Sequence, residues 1–183
     1  GFPHEPIPKD FEANWVSNNG DLVELTLWSG HLGQPGIKKA VMVGETVNEF
    51  VGTDQLAAIS DIERYLYEPD VSLIRSHLVG DYANQNGLHL ISEQIAYLSS
   101  AKPVLSPWLK GYEVLDVLPL DVKQIKAYCS KNDIGVLEIK KRGVDVTPEA
   151  LRPKLKLKGA GAATLVLTKV GNARQAIVCK SIR

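Results

Sequence analysis

The stretch from Tyr112 to Lys141, YEVLDVLPLDVKQIKAYCSKNDIGVLEIKK, carries the strongest fold signal in the sequence. Its pattern predicts a strand over residues 112–118, a helix that begins after Asp121, and a second strand over residues 134–141. Asp121 and Gln124 form a capping signature, because a carboxylate at the N-cap accepts hydrogen bonds from the first free amides of a helix. We therefore expect a strand–helix–strand unit here.

The residues that follow repeat this arrangement. Thr147, Pro148 and Glu149 predict the start of a second helix, as its N-cap, first-turn proline and first-turn acid. Pro153 is expected to shorten or bend that helix. Two strands are then predicted, at residues 163–170 and 175–182, with a turn between them. The order β-α-β-α-β-β predicts an α+β fold for residues 107–183, a two-layer sandwich with both helices on one face of a four-stranded sheet.

The first hundred residues have a different pattern, in which strands precede helices. Strands are predicted at residues 12–17, 22–28 and 38–43, and Asn18 to Asp21 form the hairpin turn between the first two. Helices are predicted at residues 54–62, 71–86 and 92–97, the middle one starting after Pro69 and Asp70 and ending before Gly87. Before the first strand, prolines predict an extended arm: Pro3, Pro6 and Pro8.

The composition is that of an average globular protein, with 183 residues, 44% hydrophobic and 23% charged. It excludes wholesale disorder, collagen and a coiled coil, and no apolar run reaches the ~18 residues that a membrane helix needs. The N-terminus lacks the features of a signal peptide and has no initiator Met, so we expect a cytoplasmic protein, without a membrane partner, whose chain is processed or belongs to a longer one. Cys129 and Cys179 are expected to be free thiols in that compartment.

The charges are divided unevenly along a chain whose net charge is zero. Residues 1–106 hold 6 basic and 14 acidic residues, whereas residues 107–183 hold 15 basic and 7 acidic residues. Such asymmetry predicts two units, with the break among the small residues and prolines of residues 99–107. A basic second half favours an acidic partner or a nucleic acid, and mutual attraction of the halves is the alternative.

Motifs of catalysis and metal binding are absent from the sequence. The two cysteines and four histidines have no zinc-ligand spacing, and there is neither a G-x-S-x-G elbow nor a P-loop. The glycine-rich stretch Lys158 to Ala163 follows a helix and precedes a strand, whereas a dinucleotide fingerprint needs strand, glycines and helix in that order. We expect a turn there, and we predict no catalytic, cofactor or metal-binding residue in this chain.

Several short segments, taken in order, make nearly the whole chain resemble a known family. It resembles the C-terminal half of bacterial class I S-adenosylmethionine-dependent methyltransferase-like proteins that end in a THUMP-like domain. The segments are Trp15 to Ser17 with Gly20, Val23 and Glu24; Tyr65 to Asp70 with Ile74 and Arg75; Ile95 to Leu98; Ile139 to Asp145; Pro148 and Glu149; Leu151 and Arg152; Leu157 to Gly159; and Thr164 to Thr168. Pro153 departs from the family, which usually has a basic residue there.

The resemblance implies three parts: terminal strands of the methyltransferase sheet (1–52), a helical connector (53–106) and a THUMP-like domain (107–183). It implies S-adenosylmethionine as cofactor of the intact protein. The family's cofactor loop and catalytic segment lie in the N-terminal half, which nothing here matches, so this chain alone is expected to be inert. Without the rest of the sheet, residues 12–44 would expose apolar faces and edges. We expect them to pair with a second copy in a homo-oligomer, to pack on the connector, or to be poorly ordered.

The resemblance and the basic second half together favour RNA as the partner, bound through its backbone or shape. The residues expected to bind it are Lys140, Lys141, Arg142, Arg152, Lys154, Lys156, Lys158 and Lys169. Lys140 and Arg142 share one face of their strand and Lys141 takes the other. A surface for protein docking or self-association is the alternative.

A second candidate site lies at Tyr67, Glu68, Asp70 and Arg75. These residues could form one wall of the cofactor or substrate cleft in the intact protein. The structural interpretation, which we favour, is that Pro69 and Asp70 start a helix and that Arg75 pairs with Asp70 or Glu68.

Overall fold

The fold is given by a computed structural model, which describes residues 7–182. These residues form two compact units. The N-terminal unit comprises residues 7–58, 68–89 and 106–109, and the C-terminal unit comprises residues 59–67, 90–105 and 110–182. The predicted connector, residues 53–106, thus contributes to both units, and the division into three domains stays a prediction. Most of the predicted N-terminal arm lies outside the described residues.

A four-stranded sheet forms the N-terminal unit. Its strands are β1 (Glu12–Asn18), β2 (Asp21–Trp28), β3 (Lys38–Val43) and β4 (Val47–Gly52), in the order β2-β1-β3-β4. β1 and β3 are parallel and the other pairs are antiparallel. The predicted hairpin turn is confirmed, since Asn19 and Gly20 have φ angles of 51° and 84°. One turn of 3₁₀ helix (Gly30–Leu32) follows β2.

Two short helices replace the long helix predicted at residues 71–86. They are α1 (Val71–Arg75) and α2 (Val79–Asn86). The Ser76 hydroxyl donates to the Ser72 carbonyl at 2.7 Å, and His77 has a φ of 62°, so the chain leaves the helical path between the two helices. Gly87 ends α2 in the left-handed conformation, as predicted.

α1 packs against β1 and β3 within the N-terminal unit. The Ser17 hydroxyl of β1 donates to the Asp70 carboxylate at 2.6 Å, and both Ser17 and Ser72 are fully buried. Residues 12–44 therefore pack in part on the predicted connector. Their pairing with a second copy stays a prediction.

The helices predicted at residues 54–62 and 92–97 are wrong. Asp54 has a φ of 66°, and the buried Asp81 carboxylate accepts the backbone N–H groups of Thr53 and Gln55 at 2.8 and 2.9 Å, which fixes an extended path. In the second segment, a turn links the Tyr97 amide to the Ile95 carbonyl, and both side chains are buried in the C-terminal unit. Burial of apolar side chains outweighed helical spacing in this segment.

The C-terminal unit is built on a seven-stranded sheet, in the order β6-β7-β5-β8-β11-β10-β9. Three short strands not predicted from the sequence extend it: β5 (Tyr65–Pro69), β6 (His89–Leu90) and β7 (Leu98–Ser100). The others are β8 (Leu109–Pro119), β9 (Ile134–Lys141), β10 (Gly161–Val170) and β11 (Ala173–Ile182), with helices α3 (Val122–Lys131) and α4 (Pro148–Leu155). From β8 to β11 the order is β-α-β-α-β-β, so the α+β prediction is confirmed.

Both faces of this sheet are buried. α3 and α4 cover one face with a core that includes Ile125, Leu151 and Leu165. The opposite face is covered by Leu66, Ile91 and Tyr97 and neighbouring residues, rather than left open as in a two-layer sandwich. Burial on both faces explains why β10 and β11 have continuous apolar runs instead of alternation.

Candidate nucleic-acid interface

The outer surface of α3 and α4 is strongly basic. Asp121 and Thr147 cap the two helices, accepting hydrogen bonds from the amides of Gln124 at 2.9 Å and Ala150 at 3.2 Å. The caps set the phase of each helix, so the apolar stripe faces the sheet and the remaining positions face solvent. Seven exposed basic residues lie on these helices and at the exit of α4: Lys123, Lys126, Lys131, Arg152, Lys154, Lys156 and Lys158. We call them the helical basic surface.

Within residues 7–182, no ion pair involves any residue of the helical basic surface. No carboxylate of the described residues forms an ion pair that would neutralise its charge. The predicted set included four of the seven residues and missed Lys123, Lys126 and Lys131 of α3. The sequence indicated that these three lysines are exposed, because none of them lies on the apolar face of the helix formed by Val122, Ile125 and Cys129.

Lys140 and Arg142 lie on the opposite face of the sheet. Lys140 is beside Val166 of β10, which belongs to the core on the face away from the helices. Its ammonium lies 5.7 Å from the centroid of the Tyr112 ring, and that of Lys110 lies 5.9 Å from the same centroid. Lys110 also pairs with Glu138 at 3.8 Å. These cations contact an aromatic side chain that is itself fully buried.

Arg142 is an internal tie of the C-terminal unit. Its guanidinium lies 5.1 Å from the centroid of the Tyr97 ring and donates to the Ala96 carbonyl at 2.9 Å. Its amide donates to the Leu167 carbonyl.

Lys141 and Lys169 lie at the end of the sheet remote from Lys158. Lys141 aligns with Leu167 on the helical side, and Lys169 pairs across the terminal hairpin with Arg174. Along β10, Lys169 lies roughly 26 Å from Gly161, where the strand begins just after Lys158, at about 3.3 Å per residue. The eight predicted residues thus occupy three places. Arg152, Lys154, Lys156 and Lys158 are the four that belong to the helical basic surface.

The glycine-rich stretch is filled by its own backbone. A Cβ atom on Gly135 would lie 1.6 Å from the Gly159 carbonyl oxygen, and one on Gly159 would lie 2.1 Å from the Asp133 carbonyl oxygen. These glycines let β10 start beside β9, as the predicted turn requires.

An open cleft of about 440 Å³ lies between α3 and the exit of α4. It is lined by Lys126 and Ser130 of α3, by Asp133 and Ile134 before and in β9, and by residues 155–159. Lys156 has a φ of 49°, which turns the chain sharply at the end of α4. Three lysines of the helical basic surface, Lys126, Lys156 and Lys158, line this cleft.

The second predicted site is divided between the units. Tyr67 belongs to the C-terminal unit, is fully buried, and accepts a hydrogen bond from the Val104 amide at 2.9 Å. Glu68, Asp70 and Arg75 belong to the N-terminal unit. Asp70 caps α1 by accepting from the Ser72 amide, as predicted. The predicted ion pair of Arg75 with Asp70 or Glu68 is wrong, since no ion pair within residues 7–182 includes Arg75.

The two thiols are buried and the histidines are scattered. Cys129 and Cys179 are both free, and burial raises the pKa of Cys179 to about 12. In the part of the chain that the structure describes, no group of three or more His, Cys, Asp or Glu side chains is arranged to hold a metal ion. Across the same residues, no helix combines the length and apolarity needed to cross a membrane.

Comparison with known proteins connects the fold to a family. Residues 109–181 match the family model described as THUMP domain-like. The chain is also 33% identical, over 162 residues, to uncharacterized S-adenosylmethionine-dependent methyltransferases from two strains of Mycobacterium tuberculosis. These alignments cover 87% of this chain and 44% of each relative, so the chain spans less than half the length of the curated relatives it matches.

A solved structure has the same fold. It is the crystal structure of a protein assigned as a methyltransferase from Porphyromonas gingivalis, with a TM-score of 0.77 and 18% identity. The match covers 93% of this chain and 45% of that chain. At this identity the similarity establishes the fold alone.

The β-α-β-α-β-β order and the family match define residues 109–181 as a THUMP-like domain. Over 87% of its length the chain is similar to the S-adenosylmethionine-dependent methyltransferases of M. tuberculosis. The resemblance found in the sequence is therefore confirmed.

Proposed function

We propose that this chain is the RNA-binding portion of an S-adenosylmethionine-dependent methyltransferase and is inert without the catalytic half. The observation that carries the proposal is the helical basic surface, seven exposed and unpaired basic residues on the outer face of the THUMP-like domain. In the intact protein, this surface would hold an RNA while a separate catalytic region, which binds S-adenosylmethionine, modifies it.

Physical chemistry favours backbone contact over base stacking on this surface. Lysine and arginine neutralise phosphates and release counterions, so affinity depends steeply on salt. Of the aromatic residues that contact cations, Tyr97 and Tyr112 are buried, and Tyr65, whose ring centroid lies 5.5 Å from the Arg64 guanidinium, is half-buried and off the helical basic surface. RNA contacted mainly through its phosphates is the substrate class that these features support.

The test is binding of the chain to bulk transfer RNA at two salt concentrations. We expect binding that weakens as salt rises, by a slope of about 0.7–0.9 per phosphate contacted on a log–log plot. An Arg152→Glu/Lys154→Glu variant should bind more weakly at low salt. A Lys9→Glu/Lys102→Glu variant, with the same change in net charge at exposed positions off the domain's helices, should bind as the parent does. Equal losses in both variants would contradict a defined surface.

The inert-fragment part has its own test, isothermal titration with S-adenosylmethionine. We expect no heat of binding at micromolar cofactor, because the glycine-rich stretch follows α4 and precedes β10, whereas a dinucleotide-binding glycine loop follows a strand and opens a helix. Micromolar binding would overturn the division of labour between this chain and a catalytic half.

A second candidate function is self-association through the N-terminal unit. β2 is an edge strand of its sheet, and Val23, Leu27 and Trp28 are exposed by 54, 42 and 39%. Edge strands with apolar residues pair readily with other chains. Sedimentation of the chain beside a Val23→Lys variant tests this candidate: a dimer that persists in high salt and dissociates in the variant would support it, and a parent chain that stays monomeric would exclude it.

A further inference from the structure

The cleft of about 440 Å³ beside the helical basic surface has the dimensions of a ligand site. Ligand pockets in proteins measure roughly 300–1,000 Å³. Two backbone features build this one into the fold: the left-handed turn at Lys156, and the crossing of Gly135 and Gly159, which leaves no room for side chains. The cleft is therefore a fixed part of the domain.

The rim of the cleft is cationic. Lys126, Lys156 and Lys158 line it, and Asp133 is the single carboxylate in its lining. No ion pair described within residues 7–182 joins these lysines to an acid. Helix C-termini attract cations, which is an alternative reason for lysines at this end of α3. In α3, however, the basic residue of the last turn is Lys131, which does not line the cleft, whereas Lys126 lies in the middle of the helix.

The interior of the cleft is mixed in polarity. Ile134, Leu155 and Leu157 supply apolar surface, whereas Ser130 and Asp133 supply a hydroxyl and a carboxylate. A nucleobase has the matching chemistry, with apolar faces and a hydrogen-bonding edge. Its phosphates match the lysines of the rim. A base can enter such a cleft only when it is unpaired and free to leave the stack.

We propose that this cleft binds one nucleotide of the RNA whose base is unpaired, with its phosphates on Lys126, Lys156 and Lys158. The inference rests on the proposed function and adds to it that the domain prefers RNA with a single-stranded segment to a continuous duplex. Ser130 and Asp133 contact the edge of the base.

The experiment compares a single-stranded oligoribonucleotide with a blunt duplex hairpin of equal phosphate count, by fluorescence anisotropy. The parent chain should bind the single strand more tightly, by about tenfold, which corresponds to 1.4 kcal/mol. Ser130→Trp fills the cleft without changing its charge and should remove this preference. Ala127→Trp is the matched control, since Ala127 is exposed on α3 and does not line the cleft.

A second pair of variants tests the rim. Lys126→Glu/Lys158→Glu should weaken single-strand binding more than Lys123→Glu/Lys131→Glu. The second variant changes the net charge by the same amount, at two positions of α3 that do not line the cleft. Circular dichroism and thermal melting establish that each variant is folded. Absence of all RNA binding by the parent would defeat the proposed function. RNA binding with equal affinity for both probes, or unchanged by Ser130→Trp, would overturn the cleft alone.

Discussion

The guanidinium of Arg142 lies over the ring of Tyr97, 5.1 Å from its centroid, and donates a hydrogen bond to the carbonyl of the preceding residue, Ala96, at 2.9 Å. This contact links the end of β9 to the 90–105 segment that covers one face of the C-terminal sheet. An arginine predicted from its charge to bind RNA is thus a structural residue of the domain.

Replacing Arg142 should reduce stability more than it reduces RNA binding. Arg142→Ala removes a cation–π contact and a charge-assisted hydrogen bond, and we expect a loss of about 1–3 kcal/mol in the free energy of unfolding. Arg142→Lys should lose less. Urea denaturation measures the free energy of unfolding of both Arg142 variants. Lys141→Ala, at an exposed neighbouring position, is the control and should change stability by less than about 0.5 kcal/mol. Equal stability of Arg142→Ala and the control would contradict the structural role.

Asp70 should matter for the start of α1, and Arg75 should not. The Asp70 carboxylate accepts from the Ser72 amide and from the hydroxyls of Ser17 and Ser72, both fully buried. Asp70→Ala removes the cap and leaves two buried hydroxyls without this acceptor, so we expect a loss of about 1–3 kcal/mol. Asp70→Asn should recover part of it, because asparagine is also a good N-cap.

Arg75→Ala is the control for the Asp70 variants, with an expected change below about 0.5 kcal/mol. Chemical denaturation of the three variants measures these values. A large loss in Arg75→Ala would show that Arg75 stabilises the protein although it forms no ion pair within residues 7–182.

The fold of the second half could be predicted from sequence because its signals are local. Asp121 and Thr147 cap their helices as the spacing of side chains indicates, and β9 has the predicted bounds. The misses arose where long-range packing decides the conformation. Tyr67 and Leu98 pair in β5 and β7 because strands far apart in sequence meet, and no window of residues contains that information.

The candidate interface was predicted in part for a related reason. Charge alone identified Arg152 to Lys158 correctly as an exposed basic run. Charge could not show that Lys140 and Arg142 lie on the other side of the sheet from these residues. Alternation along β9 shows which residues share a face, but it does not show which face the helices cover. The cleft was beyond prediction, since it depends on the close approach of Gly135 and Gly159.

Gly135 should tolerate no side chain. A Cβ atom there would lie 1.6 Å from the Gly159 carbonyl oxygen, a backbone atom that cannot rotate away. Gly135→Ala must therefore separate β9 from the start of β10, and we expect a loss of about 3 kcal/mol or more. Val136→Ala, at a neighbouring position 62% exposed, should cost about 0.5 kcal/mol. Thermal melting compares them, and a Gly135→Ala protein as stable as Val136→Ala would show that this crossing is loose.

Both thiols should resist modification while the protein is folded. Cys129 and Cys179 are 2 and 0% exposed, and burial raises the pKa of Cys179 to about 12. Because the thiolate is the reactive form, Ellman's reagent at pH 8 should react slowly with the native chain and rapidly with both thiols in denaturant. The raised pKa of Cys179 also affects stability. Above pH 9.0, the ordinary pKa of a thiol, Cys179 ionises in the unfolded chain but not in the folded one, so the free energy of unfolding falls as pH rises. A rapid reaction of the native protein would mean that the sheet opens readily around β11.

Glu12 should make the stability of the N-terminal unit depend on pH. Its carboxylate accepts the Gln34 amide at 3.0 Å and pairs with Lys39 at 3.5 Å. The backbone hydrogen bond, followed by the charge of Lys39, holds the pKa of Glu12 below its ordinary value of 4.5, although burial opposes this. A carboxyl group with a lowered folded pKa stabilises the protein above its unfolded pKa, and the stabilisation disappears as pH falls through the folded pKa. Glu12→Gln should therefore be less stable than the parent near neutral pH, and the difference should shrink below pH 4.5.

Glu49→Gln is the matched control, because Glu49 pairs with the same Lys39 at 3.2 Å but is 54% exposed, so its removal should cost less. Urea denaturation of the three proteins across the acid range measures these differences, and parallel curves for the parent and Glu12→Gln would contradict the role assigned to this carboxylate.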